Sequence, residues 1–209
     1  NVINSNHGID VKKVAPSIDH DVYYPGLSKS TTQLWVSAMV RPSTPRRAPM
    51  RTMRLLKNLS EKFGTQVNIN IFGCSDDDLF YSNLPTDFNY HNHGVLTRNQ
   101  VSALLRKSHV FIDLSAYQAF GRTGLEAMAC GCVSVVPAIG GADEYINHNV
   151  NGYAVDPRDE KTVFDTVTEF LELPVDKKLI FQHQAIETAQ TFSVRKAAFS
   201  EVKLFSSLV

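Results

Sequence analysis

Cysteine is scarce in this chain of 209 residues: Cys74, Cys130 and Cys132 are the only three. An odd count without a regular framework excludes a small domain built on disulfides. Cys130 and Cys132 stand too close together, and Cys74 too far off, for a zinc site. They read as buried structural thiols, and the one close histidine pair, His91 and His93, reads as ordinary side chains rather than metal ligands. Charge of one sign is also missing. The formal net charge is zero, so no overall basic field draws in nucleic acid or an anionic membrane. No apolar run approaches the roughly 20 residues that span a bilayer. No signal peptide is visible at Asn1, and the chain opens without an initiator methionine, as a fragment of something longer would. Internal repeats and low-complexity tracts are absent as well.

What is present is the ordinary material of a soluble globular domain, 43% hydrophobic and 20% charged, in a chain long enough to bury a sizeable core. Residues 1–30 read as irregular, punctuated by Gly8, Pro16, Pro25 and Gly26. A rhythm then sets in. Strands are expected at 34–40 (LWVSAMV), 67–72 (VNINIF, ending at Gly73), 109–115 (HVFIDLS) and 133–137 (VSVVP). Helices are expected at 50–63, where Met53, Leu55, Leu56, Leu59 and Phe63 keep helical spacing, and after Thr97, where Thr97 and Gln100 occupy capping-box positions. Further helices are expected at 119–131 up to Gly131, from Asp143 (DEYI), at 162–173, at 176–191 and at 194–208. Strands alternating with helices, several of them apolar on both faces, predict an α/β fold: a Rossmann-like, doubly wound parallel sheet with helices on both faces.

In such a sheet ligands bind beyond the carboxyl ends of the strands. The loops there run over 41–47, 73–78, 117–123 and 138–143, and they hold the unusual residues. A helix starting near Arg122 offers free amides and a positive dipole end to an anion. Gly121 and Gly124 let a diphosphate approach the backbone. Gly140 and Gly141 open another helix on the same edge, and Arg41 with Arg46 or Arg47 can neutralise phosphate. Glu126 is a lone carboxylate one turn into an otherwise apolar helix, placed to accept hydrogen bonds from ribose hydroxyls. The plainer alternatives are turn glycines, a solvated arginine loop, and a Glu126–Arg122 pair at i, i+4.

The stretch FGRTGLEAMACGCVSVVPAIGGADEYI, followed by NGYAVDP, resembles the donor-binding domain of family 4 retaining glycosyltransferases, which have the GT-B fold. The resemblance covers most of residues 30–175 and is densest over 111–157. It implies three parts: an inter-domain segment at 1–30, a nucleotide-sugar donor-binding domain at 31–191 and a C-terminal helix at 192–209. It also implies that Glu126 binds the nucleotide ribose and that Arg41 and Arg47, with Arg46 competing, contact the donor diphosphate. Gly121, Arg122 and Thr123 match the residues whose amides meet the distal phosphate and sugar. Val95 and Leu96 fall in the base-binding loop, and Gly73 matches the glycine that ends the second strand.

Two departures stand out. The family's first Glu, which contacts the transferred sugar, is Gln118 here, eight positions before Glu126; an amide still donates and accepts hydrogen bonds but brings no charge. No counterpart of the N-terminal acceptor domain is evident. The RPSTPR form of the arginine loop is similar to a subgroup that handles deoxysugars such as rhamnose.

The expected function is therefore the donor-binding half of a glycosyltransferase. It would move a sugar from a nucleoside-diphosphate sugar to a glycan or lipid-linked acceptor, with no cofactor and no catalytic metal. The catalytic residues would be Arg41, Arg47 and Gln118, and the expected place is the cytoplasm or the inner face of the membrane. Three alternatives compete: a non-catalytic donor-like module, kept open by Gln118; a nucleotide-sugar epimerase of the same fold; and a metal site at SDDDL (75–79), which reads better as a helix cap.

Overall fold

The computed structural model describes residues 6–8, 11, 13, 14, 16–27 and 29–207. The remainder of the segment expected at 1–30, and Leu208 at the end of the expected tail helix, lie outside these described residues.

Six strands form one sheet in which every pairing is parallel: β1 (Leu34–Met39), β2 (Val67–Phe72), β3 (His91–Asn92), β4 (Val110–Ile112), β5 (Val133–Pro137) and β6 (Gly152–Val155). Their order is β3-β2-β1-β4-β5-β6. The chain winds outward from β1 in one direction, then returns to start again at β4 in the other. Between β1 and β4 the connections leave in opposite directions, which opens a crevice at the strands' carboxyl ends.

Side-chain alternation along the strands separates two cores. On one face Val36, Ala38, Ile69, Ile71, Val110, Ile112, Val133 and Val135 pack under α1 (Pro49–Phe63) and α5 (Glu160–Glu172). On the other, Phe72, Phe111 and Val136 meet α3 (Arg98–Lys107), α4 (Arg122–Ala129) and α6 (Val175–Gln190). Burial on both faces explains the near-continuous apolar strands, and the layered fold agrees with the sequence expectation. The three cysteines are buried and free.

Local chemistry sets the ends of the helices. Helix α1 starts on Pro49, a residue preorganised for the first helical position. The Thr97–Gln100 capping box opens α3, with the Gln100 amide nitrogen donating to the Thr97 hydroxyl. Ser75 and Asp78 cap the short α2 (Asp76–Phe80) in the same way, which is where the acidic run of 75–79 is used. Ser193 caps α7 (Val194–Ser206). Three details differ from the expectations. The strand expected at 109–115 shortens to Val110–Ile112. The helix expected from Asp143 is a 3-10 turn over Gly141–Glu144. Strands β3 and β6 were not expected at all.

The N-terminal segment is stitched to the domain. Ile18 is buried and its amide donates to the Phe192 carbonyl at 2.7 Å. Further along, the Lys29 ammonium donates to the carbonyls of Arg106 (3.1 Å), Leu105 (3.3 Å), Ser108 and Cys130 (3.5 Å). One cation thus serves the carboxyl ends of both α3 and α4, where orphan carbonyls and the helix dipoles favour positive charge.

Candidate donor-binding site

Two cavities lie at the carboxyl edge of the sheet and share Arg122 and Thr123, the first residues of α4. The larger, about 530 Å³, is walled by Ser17–Asp19 and Tyr23 from the N-terminal segment, Leu96 and Arg98 near α3, and Glu126 on α4. The smaller, about 350 Å³, is walled by Arg46, Arg47 and the loop 117–121. The crevice predicted by the strand order is thus a two-lobed groove with a helix start at its waist.

That helix start is left open. Gly121 takes the N-cap position in the left-handed region (φ 83°) and no side chain caps α4. Among the described residues no partner takes the amides of Arg122 and Thr123, which leaves them free for an anion. Tyr145 makes glycine necessary here. Its hydroxyl donates to the Gly121 carbonyl at 2.8 Å and would lie 2.7 Å from a Cβ at Gly121 and 2.8 Å from one at Gly124. The Ser134 hydroxyl fixes the same turn by donating to the Gly124 carbonyl at 2.7 Å.

Glu126 lines the large lobe, and among the described residues it forms no ion pair. The pairing with Arg122 that sequence spacing allows is not made; Arg122 instead donates to the Ser17 carbonyl at 2.9 Å. Burial raises the Glu126 pKa above the ordinary glutamate value, opposed by the charges of Arg122 and Arg98 and by the Tyr23 phenol. Among the described residues the half-buried carboxylate thus has the Tyr23 phenol and two arginines around it but no ion pair, which leaves acceptor positions open to the lobe. Arg98 forms an ion pair with Asp19 at 3.3 Å and lies over the Tyr23 ring at 5.8 Å. These wall residues were not identified from the sequence, because their meeting depends on how the N-terminal segment lies across α3.

The small lobe differs from the sequence expectation in one respect. Arg47 is not a free clamp: its guanidinium donates to Asp113 Oδ2 at 3.3 Å. The buried Gln118 amide nitrogen donates to the same oxygen at 2.6 Å and to Ser115 Oγ at 3.0 Å. Asp113 and Ser115 thus belong to the site and were missed; a single aspartate at a strand end carries no distinguishing sequence signal. Arg46 is exposed on the wall of this lobe, while Arg41 is exposed at the end of β1 and lines neither lobe. Gly73 also lies outside both. A Cβ there would come within 3.1 Å of the Val40 carbonyl and 3.7 Å of Arg41 Cγ, so the glycine lets the β2 end pack against the arginine loop.

Gly140 and Gly141 support the loop from behind. Cβ atoms on them would fall on the Gln118 and Ala119 carbonyls, and the Gly141 amide donates to the Gln118 carbonyl at 3.0 Å. No group of three or more His, Cys, Asp or Glu among the described residues is arranged to hold a metal ion. No helix among them is long and apolar enough to cross a membrane.

The description "Glycosyl transferases group 1" matches residues 36–192. The N-acetyl-alpha-D-glucosaminyl L-malate synthase of Bacillus anthracis is 26% identical over 186 residues, covering 82% of this chain and 48% of its own length. Among solved structures, the C-terminal domain of a glycosyl transferase group 1 family protein from Francisella tularensis superposes with a TM-score of 0.69. It is 16% identical, with 85% of this chain and 99% of that chain covered. An Anabaena protein, HepE, solved with UDP and glucose, has a TM-score of 0.73 at 19% identity, with 94% of this chain and 57% of that one covered. At these identities the structural likeness speaks for the fold. The chain spans about half the length of the Bacillus relative.

Proposed function

The chain belongs to the group 1 glycosyl transferases, and on that premise we propose that it is the donor-binding half of a metal-independent transferase acting on a nucleoside-diphosphate sugar. The observation that carries this reading is the two-lobed groove with an uncapped helix N-terminus between its lobes. The large lobe takes the nucleoside, with Glu126 on the ribose hydroxyls and Leu96 beside the base. The waist takes the diphosphate on the amides of Arg122 and Thr123, and the small lobe takes the sugar beside Gln118. As the sugar–phosphate bond breaks, negative charge grows on the departing diphosphate. On this reading the helix start and Arg46 stabilise that charge directly, while Arg47, paired with Asp113, and Arg41, outside both lobes, add to the positive field. Among the described residues the small lobe offers the sugar no free carboxylate: Asp113 is occupied and Gln118 is an amide.

The acceptor, a glycan or lipid-linked sugar, would be held largely by residues outside this chain, at the cytoplasmic face of a membrane. UDP is the first nucleotide to test, given the Anabaena structure. The test is thermal unfolding with UDP, GDP, ADP, CDP and dTDP, with and without Mg²⁺. A nucleotide at about 100 times its dissociation constant should stabilise the fold by about 2.7 kcal/mol. A metal-independent shift with one base, lost in Glu126→Ala, is the expected result; no shift with any overturns the reading. Nucleotide binding without transfer by the full-length enzyme would favour the non-catalytic module, the reading that Gln118 supports.

A further inference from the structure

The carboxylate of Asp113 is buried at the end of β4 and its acceptor sites are filled. Oδ1 accepts from the Ser115 amide at 2.9 Å and from the Ser115 hydroxyl; Oδ2 accepts from Gln118 Nε2 at 2.6 Å and from Arg47 at 3.3 Å. Both hydrogens of the Gln118 amide nitrogen are therefore committed, one to Asp113 and one to Ser115 Oγ at 3.0 Å. The orientation of the amide follows from chemistry, since an amide oxygen turned toward a carboxylate would set acceptor against acceptor. What remains is Oε1. It has no partner among the described residues, is not a buried unsatisfied atom, and belongs to a side chain on the wall of the small lobe. The Gly140–Gly141 abutment holds the backbone of Gln118 in place.

We propose that Asp113 is the positioning residue of the small lobe, making Gln118 an uncharged, acceptor-only contact that selects a hydroxyl of the transferred sugar. This rests on the donor-site reading above. The lobe keeps one negative charge, but it lies behind the contact residue, spent on orienting Gln118 and Arg47. A sugar hydroxyl can donate to Oε1, whereas a sugar carboxylate at that point would meet an acceptor and be rejected.

A charge swap tests the arrangement without needing activity. In Gln118→Glu two carboxylates meet at hydrogen-bond distance and must share a proton. At low pH both can be protonated and little is lost; as pH rises the folded state is penalised. The charged and titratable groups around the pair are Arg47, which feels Arg46 and Arg41 from the same loop, and Tyr145, kept neutral by burial and by Asp113; Arg51 donates to the neighbouring Leu114 carbonyl. These groups are common to the variant and the wild type, so the difference between their pH profiles reports the carboxyl pair. Thermal melts of Gln118→Glu should fall below the wild type by about 5 °C more at pH 8 than at pH 5. The double variant Asp113→Asn/Gln118→Glu should remove that divergence, because the new asparagine donates where Gln118 did.

Parallel melts of Gln118→Glu and the wild type overturn the proposal. If Gln118→Glu does not fold at neutral pH, recovery in the double variant supports the arrangement and its absence overturns it. The second arm uses the nucleotide that shifts the wild type and its glucose conjugate. Asp113→Asn should keep the nucleotide affinity and lose about three- to tenfold on the conjugate; an equal loss on both overturns the sugar role. If no nucleotide shifts the wild type, the donor-site reading and the selectivity fall together, while the pH arm still decides how Gln118 is held.

Discussion

Where the strands begin, His109 has both ring nitrogens engaged: Nδ1 accepts from the Trp35 amide at 3.0 Å and Nε2 donates to the Ser30 carbonyl at 2.9 Å. Lys29, nearby, is held by four carbonyls. Where the strands end, Glu126 forms no ion pair among the described residues, no side chain caps α4, and Arg41 and Arg46 are exposed. The same sheet therefore satisfies its ionisable groups at one end and leaves them waiting at the other. Groups of the first kind hold the fold together, and those of the second kind are the ones the donor-site reading assigns to a ligand. Exceptions sharpen the rule: Asp113 with Arg47, Asp19 with Arg98, and Arg122 on the Ser17 carbonyl lie at the ligand end, and the protein itself occupies them.

The comparison can be broken by mutation. The largest effect is expected at Lys29. Lys29→Met leaves the carboxyl ends of two helices without their donor and should cost roughly 2–4 kcal/mol in chemical denaturation, with nucleotide affinity unchanged. A matched loss of affinity would show that the two ends are coupled. Glu126→Ala should do the reverse, weakening nucleotide binding about 10–100-fold by calorimetry while leaving the melting temperature of the free protein unchanged or higher.

Acid and base sharpen the contrast further. Burial pushes the His109 imidazole from 6.5 down to about 4. Its neutral form belongs to the folded state, so its contribution is intact above pH 6.5 and is lost as pH falls toward 4. His109→Gln should blunt the loss of stability over that window. Glu126 runs the other way. Its pKa is raised in the folded state, so the fold loses stability as pH rises through that value, whereas on the donor-site reading the ribose hydroxyls bind the ionised form. Affinity should therefore drop on acidification, and Glu126→Gln should flatten the profile. The smallest effect belongs to Arg46→Ala: an exposed cation should contribute only about two- to fivefold to diphosphate affinity, most visibly at low salt.

Much of the fold was legible because burial on both faces of a parallel sheet writes itself as strand-length apolar runs such as VNINIF, and because Thr97 and Gln100 announce a helix by their chemistry. Strand β3, two residues long, and β6, which starts on a glycine, carry no such signal; they are strands because a neighbour pairs with them. The site divides in the same way. Glu126 and the helix start at Arg122 stand out locally, since a lone charge and a glycine-opened turn are unusual in their own segments. The link from Arg47 through Asp113 to Gln118 joins two strand ends, and only the adjacency of β1 and β4 brings it about. Arginine side chains that look alike in sequence were separated by the same adjacency: Arg47 pairs, whereas Arg41 and Arg46 stay exposed.

The close fit of Gly140 and Gly141 against residues 118–120 has a thermodynamic consequence. Two loops from neighbouring strands are braced backbone to backbone, so the conformational entropy of the small lobe is surrendered during folding rather than at the moment of capture. A ligand entering that lobe meets a surface that is already ordered. On the donor-site reading, discrimination between sugars then depends on the fit of individual hydroxyls to that ordered surface.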